Sequence, residues 1–169
     1  FGNTEIGQGS KTVLSQITAS ALNAPYENII PIDTDTSRVP DSGPTVASRS
    51  TVMSGNALVN ASKPILENIK KAAAVLLNTT KKNILAHNTK FINKKNKKSV
   101  SFKEAVRQCY KMKLKMSEQG WFDAPKSTFN EKGMGSAYFS YTFSANLVEL
   151  EVDPKTGIIE IKKIISSHD

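Results

Sequence analysis

Two short segments of this chain combine residue types that could hold a polar ligand. The first is Thr4-Glu5-Ile6-Gly7-Gln8-Gly9-Ser10-Lys11-Thr12, a glycine-flanked turn that runs straight into an apolar-periodic stretch. Gly7 and Gly9 bare their backbone amides. Those amides, the side-chain amide of Gln8 and the first free N–H groups of the helix would converge on one point, which suits a phosphate or a polar heterocycle. The second is Asp41-Ser42-Gly43-Pro44-Thr45-Val46-Ala47-Ser48-Arg49-Ser50-Thr51. Its helix start is an anion site in the same sense, and Arg49 adds a fixed charge. A small side chain at Ala47 leaves room for a ligand. Each segment also has a plainer reading: Gln8 can hydrogen-bond its own turn, and Ser48 can be a helix cap and nothing more.

The other chemically suggestive residues favour structural roles. Asp33 and Asp35 resemble a paired-carboxylate site, but aspartates at a strand end commonly cap the adjoining loop. His87 is expected to point outward from a hairpin strand. Cys109 reads as a small core residue of an amphipathic helix. With a single cysteine and only His87 and His168, a protein-ligated zinc or iron–sulfur site is disfavoured, and an intrachain disulfide framework is excluded. One thiol is compatible with a reducing cytoplasm. Metal chemistry would therefore have to arrive on a cofactor carrying its own ligands.

The formal charge of +8 raises the alternative of a non-enzymatic basic module that binds nucleic acid or an acidic protein. Lysines gather in the middle of the chain, at Lys70-Lys71, Lys81-Lys82, Lys90 and Lys94-Lys95-Asn96-Lys97-Lys98. Arginine, the usual bidentate reader of phosphate and base edges, occurs only at positions 38, 49 and 107, which weighs against nucleic acid. No apolar run approaches the roughly 18 residues that span a bilayer. A length of 169 residues suits one domain with a real core. The missing initiator Met and an opening inside what reads as a strand suggest an excised piece of a longer protein.

The elements that position these residues follow from periodicity. Residues 11 to 23 form an amphipathic helix closed by Pro25, with Val13, Leu14, Ile17, Ala21 and Leu22 on one face. Residues 26 to 32 read as a strand, and 37 to 45 as ordered loop. A long helix covers about 50 to 78, with Pro64 starting a new segment or kinking the old one. A hairpin is expected over 83 to 102 with a polar tip at 93 to 98. Ser101 and Glu104 form a capping-box pattern for a helix striped by Ala105, Val106, Cys109, Tyr110, Met112 and Met116. Residues 137 to 152 are the longest strand candidate, with Tyr138, Phe139, Tyr141 and Phe143 expected as core. Asp153-Pro154-Lys155-Thr156-Gly157 is a turn before a strand at 158 to 165. The sum is an α+β fold, helices on a mixed, mostly antiparallel sheet.

Taken together, the Glu5–Thr12 turn, the Asp33-Thr34-Asp35 segment and Gly43 to Arg49 resemble the molybdenum-cofactor-binding subunit of the xanthine dehydrogenase and aldehyde oxidase family. Tyr138 to Gly157 resembles that family's C-terminal strand pair, while 65 to 135 agree in pattern only. The resemblance implies that residues 1–169 are a single-domain fragment of a molybdopterin-binding region. It implies cofactor contacts from Gly7, Gln8, Gly9, Ala47, Ser48, Arg49 and Ser50, with Ala47 near molybdenum and no residue ligating it. It implies a molybdenum–molybdopterin cofactor, in plain or cytosine-dinucleotide form, and partner subunits or domains carrying iron–sulfur clusters and FAD. The implied reaction is hydroxylation of a purine, another N-heterocycle or an aldehyde, with water as the oxygen source. The family's catalytic glutamate, in a Gly-Glu-Pro context, and its upstream glycine-rich loop have no counterpart here, so the fragment alone is expected to be inactive.

Overall fold

The computed structural model describes residues 1–32 and 34–168. Asp33 of the carboxylate pair, like Asp169, lies outside the described residues. The chain separates into two compact units, Phe1–Asp123 and Ala124–Asp169.

The first unit is built on two helices, α1 (Ser10–Leu22) and α2 (Arg49–Leu76). Leu14 and Ala19 are buried on α1, and Ile17 meets α2 at Gly55, where an added Cβ would lie 3.1 Å from its Cδ1. Pro64 sits inside α2 without dividing it. The ring occupies an exposed position, while Ser62 and Ile69 on either side are buried. Packing therefore carries the helix across the backbone hydrogen bond that proline removes.

A three-stranded antiparallel sheet, β1 (Ile84–His87), β2 (Lys90–Asn93) and β3 (Ser99–Ser101), packs with α3 (Phe102–Lys111) against the C-terminal half of α2. Phe91, Ile69, Ala72, Ala73, Ala105 and Cys109 are its buried centre, and Phe91 stacks on Phe102 at 6.5 Å between ring centroids. The predicted capping box is present: the Ser101 hydroxyl accepts from the Glu104 N–H at 3.2 Å, and the Ser101 N–H donates to Glu104 Oε2 at 2.7 Å. His87 is exposed, as expected of the outward side of β1.

All three helices end the same way. The residues just past them, Asn23, Asn78 and Lys113, have positive φ of 54°, 45° and 52°. The next N–H in each case reaches back to the carbonyl five residues earlier: Ala24 to Ala19, Thr79 to Ala74 and Leu114 to Cys109. This closure satisfies helix-end carbonyls. It ends α1 before Pro25 is reached, and it ends α3 before Met112 and Met116, so that stripe is only partly helical. Met112, Leu114 and Met116 still pack on the core from a non-helical return segment. Asn68 Nδ2 donates to the Lys115 carbonyl at 2.9 Å, and Asn60 Nδ2 to the Trp121 carbonyl at 2.9 Å. Eight residues apart, these two asparagines lie on one side of α2 and hold that segment along it.

Several predicted elements are corrected. Residues 26 to 32 are not a strand: Tyr26–Asn28 is a 3₁₀ turn, closed by Asn28 N–H to Pro25 O, and Pro31 downstream has no N–H for a ladder. The expected hairpin with its tip at 93 to 98 is present as β2 and β3, but the strand expected before it is broken by a second turn at Asn88-Thr89, both at positive φ, which separates β1 from β2. The opening residues form no strand.

The second unit contains two antiparallel ribbons, β4 (Thr128–Phe129) with β5 (Gly135–Ser136), and β6 (Ser144–Val152) with β7 (Ile159–His168). The Asp153–Gly157 turn stands where predicted, with Gly157 N–H donating to Asp153 O at 2.8 Å and Gly157 at φ 74°. The single strand over 137 to 152 is shortened to β6, and Tyr138, Phe139, Tyr141 and Phe143 are exposed. A two-stranded ribbon supplies no second layer, so these rings form no core within this unit. The α+β class holds, with three separate antiparallel sheets among the described residues in place of one mixed sheet.

Candidate cofactor site

The extended opening residues join the two glycine segments. The Gly2 N–H donates to Ser42 Oγ at 3.0 Å, and the Thr4 N–H to Thr45 Oγ1 at 3.0 Å. Asn3, 1 % exposed, lies between them: its Nδ2 donates to Ser50 Oγ at 3.1 Å, its Oδ1 accepts from the Ser54 hydroxyl, and its backbone carbonyl accepts from Thr34 Oγ1 at 2.8 Å. The turn ahead of α1 and the turn ahead of α2 are thereby fixed to one another. Sequence reading did not single out Asn3. A polar residue in an opening extended stretch carries no periodic signal, and only the buried serines of α2 explain it.

The Gly7 and Gly9 amides do converge, and the group on which they converge belongs to the chain itself. Glu5 Oε1 accepts from the N–H groups of Gly7 and Gly9, each at 3.0 Å; Oε2 accepts from Ser10 Oγ at 2.9 Å and the Lys11 N–H at 3.1 Å. The Lys11 N–H has the largest influence; with the Ser10 hydroxyl and the Gly9 and Gly7 amides it outweighs partial burial and holds the Glu5 carboxyl down to about 2. No side chain at the cap position itself, Gly9, does this work. Gln8 is equally committed: its Oε1 accepts from the Ile6 N–H at 2.7 Å and its Nε2 donates to the Thr4 carbonyl at 3.0 Å. Gly7 and Gly9 hold φ of 98° and 78°, and nothing lies within 4 Å of where a Cβ would stand on either. The turn is locked from below and open above.

In the second segment Ala47 has φ 45°, an uncommon value for a residue with a Cβ and a mark of backbone held in place by its surroundings. Ser48 precedes α2, and its hydroxyl makes no cap hydrogen bond. Both are exposed. Arg49 Nη1 donates to the Ser42 carbonyl, and its guanidinium lies against Gly43, where an added Cβ would be 2.8 Å from Nη2. Gly43 is at φ 69°, a backbone conformation that favours glycine. Ser50 is buried on Asn3. Beside Arg49, a cleft of about 310 Å³ runs between the 40–43 loop, α2 and the return segment, with Met53, Ala57, Gly120 and Trp121 in its wall. Asp35 caps its own loop, accepting from the Ser37 hydroxyl at 2.6 Å and the Ser37 N–H at 3.0 Å. Those bonds, the hydroxyl's first, hold its carboxyl below the usual range. Cys109 is buried, and burial raises its thiol pKa, which suits a core residue.

A hydrogen-bonding heterocycle fits what this edge presents: an open glycine turn, a small exposed Ala47, the unengaged Ser48 hydroxyl and the fixed charge of Arg49. Among the described residues no helix is long and apolar enough to cross a membrane.

Known proteins similar to this chain include dehydrogenases and their subunits. The chain is 34 % identical over 170 residues to a probable xanthine dehydrogenase subunit of Bacillus subtilis (strain 168), a match covering 99 % of this chain and 21 % of that protein. It is 31 % identical over 157 residues to xanthine dehydrogenase 1 of Arabidopsis thaliana, covering 92 % of this chain and 10 % of the relative. The fold resembles that of CO dehydrogenase from Oligotropha carboxidovorans, with a TM-score of 0.72 at 23 % identity over 98 % of this chain and 20 % of that one. The chain thus spans a tenth to a fifth of the length of these relatives. The family model described as "Molybdopterin cofactor-binding domain" matches residues 1–169, and the chain belongs to that family.

Proposed function

We propose that this chain forms one wall of the molybdopterin site of a molybdenum hydroxylase, through Gly7, Gln8, Gly9, Ala47, Ser48, Arg49 and Ser50. The observation that carries this reading is the clamping of the two turns side by side by Gly2, Asn3 and Thr4. When bound, a molybdenum–molybdopterin cofactor, plain or as the cytosine dinucleotide, supplies two-electron oxidation of a purine, another N-heterocycle or an aldehyde with oxygen from water. The chain's own part is placement. The exposed face of the Gly7–Gly9 turn meets the ligand edge, Ala47 leaves space beside the metal, Ser48 offers a hydroxyl, and Arg49 holds the 42–43 loop while lending positive charge. Ser50 acts through Asn3, as a positioning residue.

Residues 1–169 serve as a single piece of a larger molybdopterin-binding region, with no catalytic base of their own, and are inert in isolation. The remainder of the molybdenum subunit, cytoplasmic partners carrying iron–sulfur clusters and FAD, and a small-molecule substrate complete the enzyme. The test is to mature the full-length protein with its neighbouring subunits and measure molybdenum per protein alongside hydroxylation of xanthine, nicotinate and simple aldehydes. Stoichiometric metal with turnover of any one is expected; a folded, matured complex without molybdenum overturns the reading.

A further inference from the structure

We propose that Glu5 is a built-in anion that keeps phosphate away from the glycine turn, so that the turn faces an uncharged, hydrogen-bonding ring edge of the cofactor. A glycine turn opening a helix is ordinarily a phosphate cradle, because its N–H groups and the helix dipole both favour negative charge. Here three of those N–H groups, at Gly7, Gly9 and Lys11, and the Ser10 hydroxyl end on one carboxylate. The carboxylate is tethered by four residues or fewer to the groups it holds at Gly7 and Gly9, so free phosphate competes against a very high effective concentration. A phosphate brought to the turn would also meet the full charge of Glu5 at close range.

The same bonds leave the outer surface of the turn unobstructed. The space over Gly7 and Gly9 is empty to 4 Å, and Gln8 is drawn back onto Ile6 and Thr4. A flat, neutral ring edge can approach there; a tetrahedral dianion finds the Gly7, Gly9 and Lys11 N–H groups already taken by a carboxylate. The positive charge fixed at Arg49, on the neighbouring segment, is placed to answer an anionic part of the ligand. Glu5 therefore acts as a specificity-determining residue by setting the orientation in which the ligand enters.

This inference rests on the cofactor reading above, and its test separates the two. The full-length protein, freed of cofactor, is followed by hydrogen–deuterium exchange of the peptide covering residues 5 to 13, with and without millimolar inorganic phosphate. In the wild type the expected result is slow exchange that phosphate does not alter. In Glu5→Ala exchange quickens by tenfold or more, and phosphate restores much of the protection. Glu5→Gln, which keeps the shape and loses the charge, carries the same expectation if the alanine variant fails to fold. Protection of the wild-type peptide by phosphate overturns the inference, as does a variant that remains indifferent to it. Molybdenum content of the matured wild-type enzyme, measured in parallel, decides the cofactor reading independently: metal present with a phosphate-protected wild-type turn sinks the Glu5 inference alone.

Discussion

Asn3 is the sharpest place to test how the two turns are joined. Replacing it by alanine removes the acceptor of the Ser54 hydroxyl and the donor to Ser50 Oγ together. Both serines are nearly inaccessible, at 7 % and 6 % exposure, so water cannot simply take over. Leaving a buried polar group unpartnered costs about 1–3 kcal/mol. Each hydroxyl can recover part of that by turning to a carbonyl one helical turn back, which places both at the lower end. The expected destabilisation is about 2–4 kcal/mol for Asn3→Ala, a large share of the roughly 5–15 kcal/mol of a typical domain. Urea unfolding of the chain followed by far-ultraviolet circular dichroism measures it. A double-mutant cycle with Ser54→Ala should show clear non-additivity, because the two groups share one bond. In the full-length enzyme the same change should lower molybdenum content, since it releases one turn from the other. A loss below about 0.5 kcal/mol, or an additive cycle, would refute the view that Asn3 is the joint.

Three further outcomes follow from the geometry. Gly120→Ala puts a methyl 1.9 Å from the Ala57 carbonyl oxygen, a contact no side-chain motion relieves, so the return segment must leave α2; the expected cost is above about 2 kcal/mol, with loss of the Asn60–Trp121 bond read as a change in Trp121 fluorescence. Native Cys109 should react with iodoacetamide at least a hundredfold more slowly than in the urea-unfolded chain, because its thiol is buried and its pKa is raised. The Glu5 carboxyl is held down to about 2 in the folded chain, below its ordinary range, so its stabilising effect is complete above that ordinary range and fades as pH falls toward 2. The stability difference between wild type and Glu5→Ala should accordingly be full at neutral pH and shrink steeply as pH falls toward 2; an unchanged difference there would contradict the assignment.

Much of both units was legible because their signals are local. The capping box at Ser101 and Glu104, the apolar face around Leu14 and the Asp153–Gly157 turn each arise from residues within one turn of each other. The missed features are those decided at long range or by unusual backbone. Asn88-Thr89 makes a two-residue turn with both residues at positive φ, a shape usually announced by glycine. Lys113 takes the left-handed position that ends α3, where glycine or asparagine is the familiar marker. The aromatic series from Tyr138 to Phe143 alternates like a buried strand, yet alternation states only that a face could be covered, not that this unit contains the cover.

The two glycine segments show the same boundary at the level of chemistry. Spacing alone located both turns and foresaw converging amides. It could not say what the amides hold, because Glu5 and Gln8 are as able to close the turn on itself as to greet a ligand. The distinction lies in hydrogen-bond counting: once three N–H groups and a hydroxyl are assigned to Glu5, the glycine amides are no longer open to an anion. That same counting weighs against the basic-module alternative. The lysines at 94, 95, 97 and 98 project from the β2–β3 turn, whose backbone is closed by Asn93 and Lys98. Lys70 and Lys81 are paired with Glu67. Those two lysines spend part of the basic charge on an internal carboxylate rather than on a polyanion, whereas the clamped turns present a shaped edge with the fixed cation of Arg49 beside it.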